Sequence, residues 1–289
     1  MFAAMLTSAQ RQAYDKDGYL VLPGFKTPTE LVAARERAQA IVEAFEPDRQ
    51  TGVFSTRDPG RTADAALIAS AEEVHCFFEE EAFGADGQLR VAKERSINKI
   101  GHALHDRDPV FDAFSHGPAL AALAADLGLA EPQVWQSQVI FKQPGIGGEV
   151  RWHQDATFFV TDPISVVTFW FALEDAALDN GCLWVEPGGH RGARGALRER
   201  FVREGERLRL DVLDRTPWPD ERSARALPVE AGSLVVFHGL LPHYSAPNRS
   251  PRSRLAYTLH VTDGRCAYSP ANWLQRSAAW PVRGLDDCE

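Results

Sequence analysis

The stretch PQVWQSQVIFKQPGIGGEVRWHQDATFF (132–159) decides the fold. Its first part alternates. In an extended strand Val134, Gln136, Gln138 and Ile140 would face one way, and Trp135, Ser137, Val139 and Phe141 the other. Pro144-Gly145 then turns the chain, and a second extended run leads into His153-Gln154-Asp155. Toward the C-terminus, short runs of the same character recur at 166–173, 182–185, 234–237 and 255–261, separated by turns such as Pro187-Gly188 and Ala231-Gly232. Toward the N-terminus the period changes. Ser8 can cap a helix to about Asp17, Asp17-Gly18 breaks it, and 19–22 reads as a strand. Thr27 or Thr29 can cap a longer helix, because Leu31, Ala34, Ala38, Ile41, Val42 and Phe45 recur at three- and four-residue steps. Residues 47–66 are polar and turn-rich and predict a long loop, while 74–78 fits strand or helix. Two more helices start at Pro109 and Pro118, the latter stopping at Gly128. Helices first and many short strands after, without βαβ alternation, predict an α+β, mainly β chain. Its expected core is a sandwich or barrel of jelly-roll type with helices packed outside.

Composition narrows the function classes. In 289 residues there are 31 basic and 40 acidic side chains, a formal charge of −9. That balance argues against nucleic acid and against an anionic membrane surface as main partner. The most apolar stretch, 164–173, has half the length of a membrane span. The N-terminus lacks the basic start of a secretory signal, and the C-terminus lacks an SKL- or KDEL-like tail. Cys76, Cys182, Cys266 and Cys288 are too sparse for a disulfide framework and form no Cys-rich zinc site. A cytoplasmic protein acting on a small molecule is the expectation. The Arg-rich stretch 191–226 is mixed with acids and reads as a solvated insertion in the strand series.

The candidate chemistry lies at His153 and Asp155. Two residues apart on a strand, an imidazole and a carboxylate leave the same face. With a distant second histidine they make a 2-His-1-carboxylate facial triad, which leaves three positions open on Fe(II) for dioxygen and a co-substrate. Alone this signal is weak, since nine histidines and 40 acidic residues yield about one such pair by chance. Its context is stronger. His243 follows just beyond the strand at 234–237, and Arg254 opens the strand at 255–261. A guanidinium takes a carboxylate in a bidentate fork, so triad and fork together suit a dicarboxylate that chelates metal at one end and is clamped at the other. Ser245 is placed to donate a hydroxyl to the same carboxylate. Arg252, in the same RSR run, would share a strand face with Arg254 and competes for the role. His102 and His105 can line a cavity or pack, and His190 and His238 read as structural. Trp152 can shape a pocket or pack.

The runs DGYLVLPGF (17–25), SINKIGHALHDRDPVF (96–111), IFKQPGIGGEV (140–150), HQDATF (153–158), LEDAALDNGCLW (173–184), PGGH (187–190), GSLVVFHGLLPH (232–243), RSRLAYTLH (252–260) and SPANWLQ (269–275) go further. Through them the chain resembles the phytanoyl-CoA dioxygenase family of Fe(II)- and 2-oxoglutarate-dependent oxygenases over nearly its whole length, least over 191–226. The resemblance implies a double-stranded β-helix, cupin-like core (131–275) behind a helix-rich flank (1–130), in one domain. It implies iron on His153, Asp155 and His243, and the far carboxylate of 2-oxoglutarate on Arg254 and Ser245. Lys99 and Trp170 match further co-substrate contacts. Gln138 stands at another contact, where relatives commonly have Met. The implied reaction consumes O2, releases succinate and CO2 and hydroxylates a small molecule. Retention of Asp155 counts against halogenase chemistry. A desaturase or epimerase outcome and a non-catalytic jelly-roll binding module are the alternatives. A zinc hydrolase on the same triad would give no reason for Arg254 and Ser245.

Overall fold

The computed structural model describes residues 4–46, 52–54, 64–220 and 222–286. The helices are α1 (Ser8–Asp17), α2 (Pro28–Ala44), α3 (Asp64–Ala69), α4 (Leu104–Arg107), α5 (Pro109–Ser115) and α6 (Pro118–Asp126). The strands are β1 (Tyr19–Leu22), β2 (Val53–Phe54), β3 (Val74–Glu79), β4 (Ile97–His102), β5 (Pro132–Lys142), β6 (Val150–His153), β7 (Thr161–Asp162), β8 (Val167–Ala172) and β9 (Leu183–Val185). They continue with β10 (Glu199–Glu204), β11 (Arg207–Val212), β12 (Arg225–Leu227), β13 (Leu234–His238), β14 (His243–Ser245), β15 (Arg254–Asp263), β16 (Ala267–Tyr268) and β17 (Arg283–Gly284).

The capping chemistry sets the helix starts. Thr7, one residue before the expected Ser8, caps α1. It accepts from the Gln10 amide, while the Gln10 side chain returns to the Thr7 N–H. Thr27 and Glu30 form the same reciprocal box on α2, with Pro28 in the first turn.

A large sheet runs in the order β1-β13-β8-β15-β5-β4-β3-β2, with β17 on one end of β5, and a smaller sheet runs β12-β9-β14-β6. Alternation along the central strands gives the large sheet two faces. Phe169, Phe171, Val139, Phe141, Tyr257 and Leu259 pack against α2, α5 and α6 in the main core. Trp170, Val235, Phe237 and Ala256 point the other way and meet Leu183, Val185 and Leu227 of the smaller sheet. The site lies between the sheets.

Two expectations need correction, and one open alternative is decided. Alternation on β5 holds from Gln136 to Phe141 and breaks at Trp135, where the register slips: Gln136 faces His260 but Val134 faces Val261. The extra residue is a bulge. Val134 therefore joins the helix-side core, and Trp135 stacks on Tyr268 with centroids 3.4 Å apart. The expected loop 47–66 contains β2, which pairs in parallel with β3, and the start of α3; 47–51 and 55–63 lie outside the described residues. The stretch 74–78 is a strand.

The insertion 191–226 is solvated on one side only. Arg209 pairs with Glu204 and Asp211 at the surface, as a mixed charge run should. But β10 and β11 form a hairpin that docks along 269–273, through the Val202–Asn272 bridge and the Arg203 N–H to the Ala271 carbonyl. Leu197, Phe201 and Leu208, scattered among the charges, supply its apolar contacts. Among the described residues no helix is long and apolar enough to cross a membrane.

Candidate metal centre

His153 on β6 and His243 on β14 face each other directly across the smaller sheet. Strand alternation does not place Asp155, because β6 ends at His153. A single 3-10 turn, Asp155–Thr157, swings the carboxylate round to the two imidazoles. One ligand atom of each residue lies within 4.8 Å of the others. Asp155 Oδ1 is 3.4 Å from His153 Nε2 and 3.6 Å from His243 Nε2. Each histidine turns its Nδ1 to a backbone carbonyl two residues back: His153 to Arg151 at 2.8 Å and His243 to Leu241 at 3.0 Å. A carbonyl only accepts, so Nδ1 carries the hydrogen and Nε2 keeps its lone pair for a metal.

The electrostatics agree. Burial, helped by His153, pushes the His243 imidazolium down to about 4, so the ring is neutral at pH 7. Burial alone would raise the Asp155 carboxyl, but His243 and His260 hold it well below the usual carboxylate range. Neutral imidazoles and an ionised carboxylate are the forms that a divalent cation binds.

Beyond the triad, the inner face of the large sheet carries polar side chains that are largely buried. Arg254, at the start of β15, is 1 % exposed. Its Nη2 reaches Ser245 Oγ at 3.5 Å, while Nε and Nη1 have no hydrogen-bond partner. Burial lowers its pKa to about 10, against the opposing pull of Cys182 and Glu174. Trp170 holds its ring 5.6 Å from the guanidinium carbon. Thr258 lies in register between Gln138 and Trp170, and its buried hydroxyl has no partner. Lys99 donates to Gln138 Oε1 at 3.3 Å, and burial pushes its ammonium down to about 7, with Glu79 opposing. A buried guanidinium with two nitrogens unanswered, as in Arg254, is costly. This donor set therefore fits a small dicarboxylate lying between Arg254 and the metal position.

Of the sequence-predicted residues, His153, Asp155 and His243 come together as one group, Arg254 meets Ser245 and Trp170, and Lys99 meets Gln138, which lies across Thr258 from Trp170 in the ladder. Ser245 differs in detail from the expectation, because its hydroxyl donates to the Gly181 carbonyl at 2.9 Å and accepts from Arg254. Arg252 precedes β15, escapes its alternation, and pairs outside with Asp179 at 2.7 Å. His105 is tied to Ser137 and Arg276, and His102 to Ser70. His190 and His238 pack against each other away from the triad. Trp152 stacks on Tyr244 of the neighbouring strand.

Other residues at the site escaped the sequence reading. Thr168 and His260 contact Asp155. Phe158 lies against His153, and Phe201 of the β10–β11 hairpin lies against Phe158, with centroids 6.2 and 5.6 Å apart. Period two counted forward from Arg254 on β15 would have reached Thr258 and His260. Nothing local marks Phe201, which arrives from the insertion.

The family model described as Phytanoyl-CoA dioxygenase matches residues 14–256. The chain is 47% identical to "Phytanoyl-CoA dioxygenase 1" of Oryza sativa subsp. japonica, covering 95% of each chain. It is 41% identical to "Phytanoyl-CoA dioxygenase domain-containing protein 1" of Mus musculus, covering 98% of this chain and 99% of that one. Among solved structures, the non-heme alpha ketoglutarate dependent carbocyclase SnoK from nogalamycin biosynthesis superposes with a TM-score of 0.66 at 20% identity, covering 100% and 96% of the two chains. EctD from S. alaskensis, solved with 2-oxoglutarate and 5-hydroxyectoine, gives a TM-score of 0.62 at 20% identity, covering 100% and 87%. These two likenesses speak for the fold.

Proposed function

Since this chain belongs to the phytanoyl-CoA dioxygenase family of iron- and 2-oxoglutarate-dependent oxidoreductases, we propose that it hydroxylates a small-molecule substrate at the centre formed by His153, Asp155 and His243. The observation that carries this reading is a metal-competent triad together with a buried arginine whose Nε and Nη1 lack partners and whose Nη2 meets Ser245, on the same strand as His243. When bound, iron and 2-oxoglutarate supply the oxidising power, with O2 consumed and succinate and CO2 released.

The chain's own groups divide the remaining work. His153 Nε2, His243 Nε2 and Asp155 Oδ1 hold the metal. Arg254, steadied by Ser245, takes the far carboxylate, and Lys99, Gln138 and Trp170 line the space beside it. Asp155 and His243 are nearly covered, whereas the His153 side chain is 20% exposed. Substrate therefore approaches from the His153 side, where Phe158 and Phe201 form an apolar rim that sheds water. We read the two sheets as a double-stranded β-helix and the whole chain as one domain, since the helices pack on the sheet that carries Arg254. We read the setting as cytoplasmic, where thiols such as those of Cys76, Cys182 and Cys266 stay reduced.

The test is succinate release from 2-oxoglutarate with Fe(II), in wild type and His153→Ala, together with mass-spectrometric screening of metabolites for an oxygen-added product. Turnover in wild type and none in the variant supports the reading. Absence of both turnover and Fe-dependent 2-oxoglutarate binding in wild type would leave the non-catalytic binding module. A desaturated or epimerised product would keep the site and change the outcome of the reaction.

A further inference from the structure

The two oxygens of Asp155 are treated differently by the fold. Oδ1 faces His153 Nε2 and His243 Nε2. Oδ2 turns the opposite way, accepting from Thr168 Oγ1 at 2.5 Å and lying 3.4 Å from His260 Nε2. Thr168 on β8 and His260 on β15 are direct partners across the ladder in the middle of the large sheet, so their side chains stand side by side. Both are buried. Phe159 stacks on the His260 ring with centroids 4.7 Å apart and fixes its plane. Asp155 can only accept, so His260 Nε2 carries a hydrogen pointing at Oδ2, while its Nδ1 has no partner.

We infer that Thr168 and His260 are positioning residues that hold Asp155 as a one-oxygen ligand. This rests on the metal reading of the triad. A carboxylate free to rotate can bring its second oxygen onto the metal. That would occupy a coordination position which a facial triad needs for an α-keto acid and dioxygen. Anchoring Oδ2 to the rigid large sheet prevents the rotation, and also aligns Oδ1 before metal arrives. The ligands themselves lie on the smaller sheet or just after it, so Thr168 and His260 tie the metal site to the other half of the sandwich.

The experiment uses the full chain and Co(II) as a spectroscopic metal. Thr168→Val keeps the buried shape and β-branching but removes the hydroxyl, Thr168→Ser keeps the hydroxyl, and His260→Phe keeps the ring but removes the donor. Circular dichroism establishes folding, and Co(II) affinity and visible spectrum are then measured with and without 2-oxoglutarate. The expected result is a 10–100-fold weaker Co(II) affinity in Thr168→Val and His260→Phe. The altered ligand geometry should change the spectrum, and the response to 2-oxoglutarate should be blunted. Thr168→Ser should stay close to wild type. A purely structural role would lower thermal stability and leave the affinity and spectrum of the folded fraction alone. Wild-type affinity and spectrum in both Thr168→Val and His260→Phe, with His153→Ala binding no Co(II), would overturn the inference while sparing the triad. If His153→Ala binds Co(II) as wild type does, the triad reading fails and this inference with it. Should one variant not fold, the other decides.

Discussion

Two buried cations carry opposite consequences at the scale of single residues. Arg254 has a fixed fork of donors, two of whose nitrogens have no protein partner. Arg254→Lys keeps the charge and loses the fork, so 2-oxoglutarate should bind about 10–100-fold more weakly, the equivalent of about 1.5–3 kcal/mol. Titration of 2-oxoglutarate into the metal-loaded variant measures this, and an unchanged affinity would remove Arg254 from the clamp. Lys99 pulls against stability. Burial lowers its pKa from 10.5 to about 7, so between those values the unfolded chain binds a proton that the folded chain does not. Stability in this window therefore rises with pH, and at pH 7 the buried amine is a net burden. Lys99→Met should raise the unfolding temperature at pH 7 by a few degrees, with the advantage shrinking toward pH 10, while weakening 2-oxoglutarate. A variant less stable at pH 7 would show that the ammonium is well paired in the folded chain.

At the scale of elements, the turn between β14 and β15 sets the distance from Ser245 to Arg254. Asn248 is fully buried there. Its amide donates to the carbonyls of Lys142 and Arg252 at 2.9 and 2.6 Å, and its oxygen accepts from the Ser250 N–H at 2.9 Å. Asn248→Ala leaves these backbone groups unanswered and should cost about 2–3 kcal/mol. Chemical denaturation should show that loss together with a weaker grip on 2-oxoglutarate. A loss of stability with full 2-oxoglutarate affinity would mean that the turn does not govern the clamp. The elements themselves were largely legible in the sequence. The strands at 166–173, 182–185, 234–237 and 255–261 appear within a residue or two of their expected ends, because alternation and Gly/Pro turns are local signals. The bulge at Trp135 was not legible. It is a property of pairing between β5 and β15, and a single strand does not reveal its partner's register. Asp155 was identified for a reason that proved incomplete, since the turn after β6, and not alternation along it, aims its carboxylate.

The whole molecule joins a site that is distributed over both sheets. His153 and His243 belong to the smaller sheet, whereas Arg254, Trp170, Thr168 and His260 belong to the larger one. Sequence runs could name the ligands, but not Phe201 or Thr168, whose roles arise only when distant segments meet. The charge of −9 likewise says nothing of the buried cations Arg254 and Lys99, because a net charge sums the whole chain and carries no position. A metal bound by β6, the following turn and β14, with Asp155 anchored through Thr168 to β8, would cross-link the two sheets. Such a ligand binds the folded chain alone, so it should stabilise the entire fold and not just one loop. At a metal concentration of about 100 times Kd the gain is about 2.7 kcal/mol. For a chain of this size that corresponds to a rise of about 5 °C in the unfolding temperature. Thermal unfolding with Fe(II) under anaerobic conditions, or with Co(II), should show this rise, and a chelator should reverse it. His153→Ala should unfold at the same temperature with and without metal. An equal rise in that variant would locate the stabilising metal elsewhere, whereas a rise confined to wild type ties the stability of both sheets to the one centre between them.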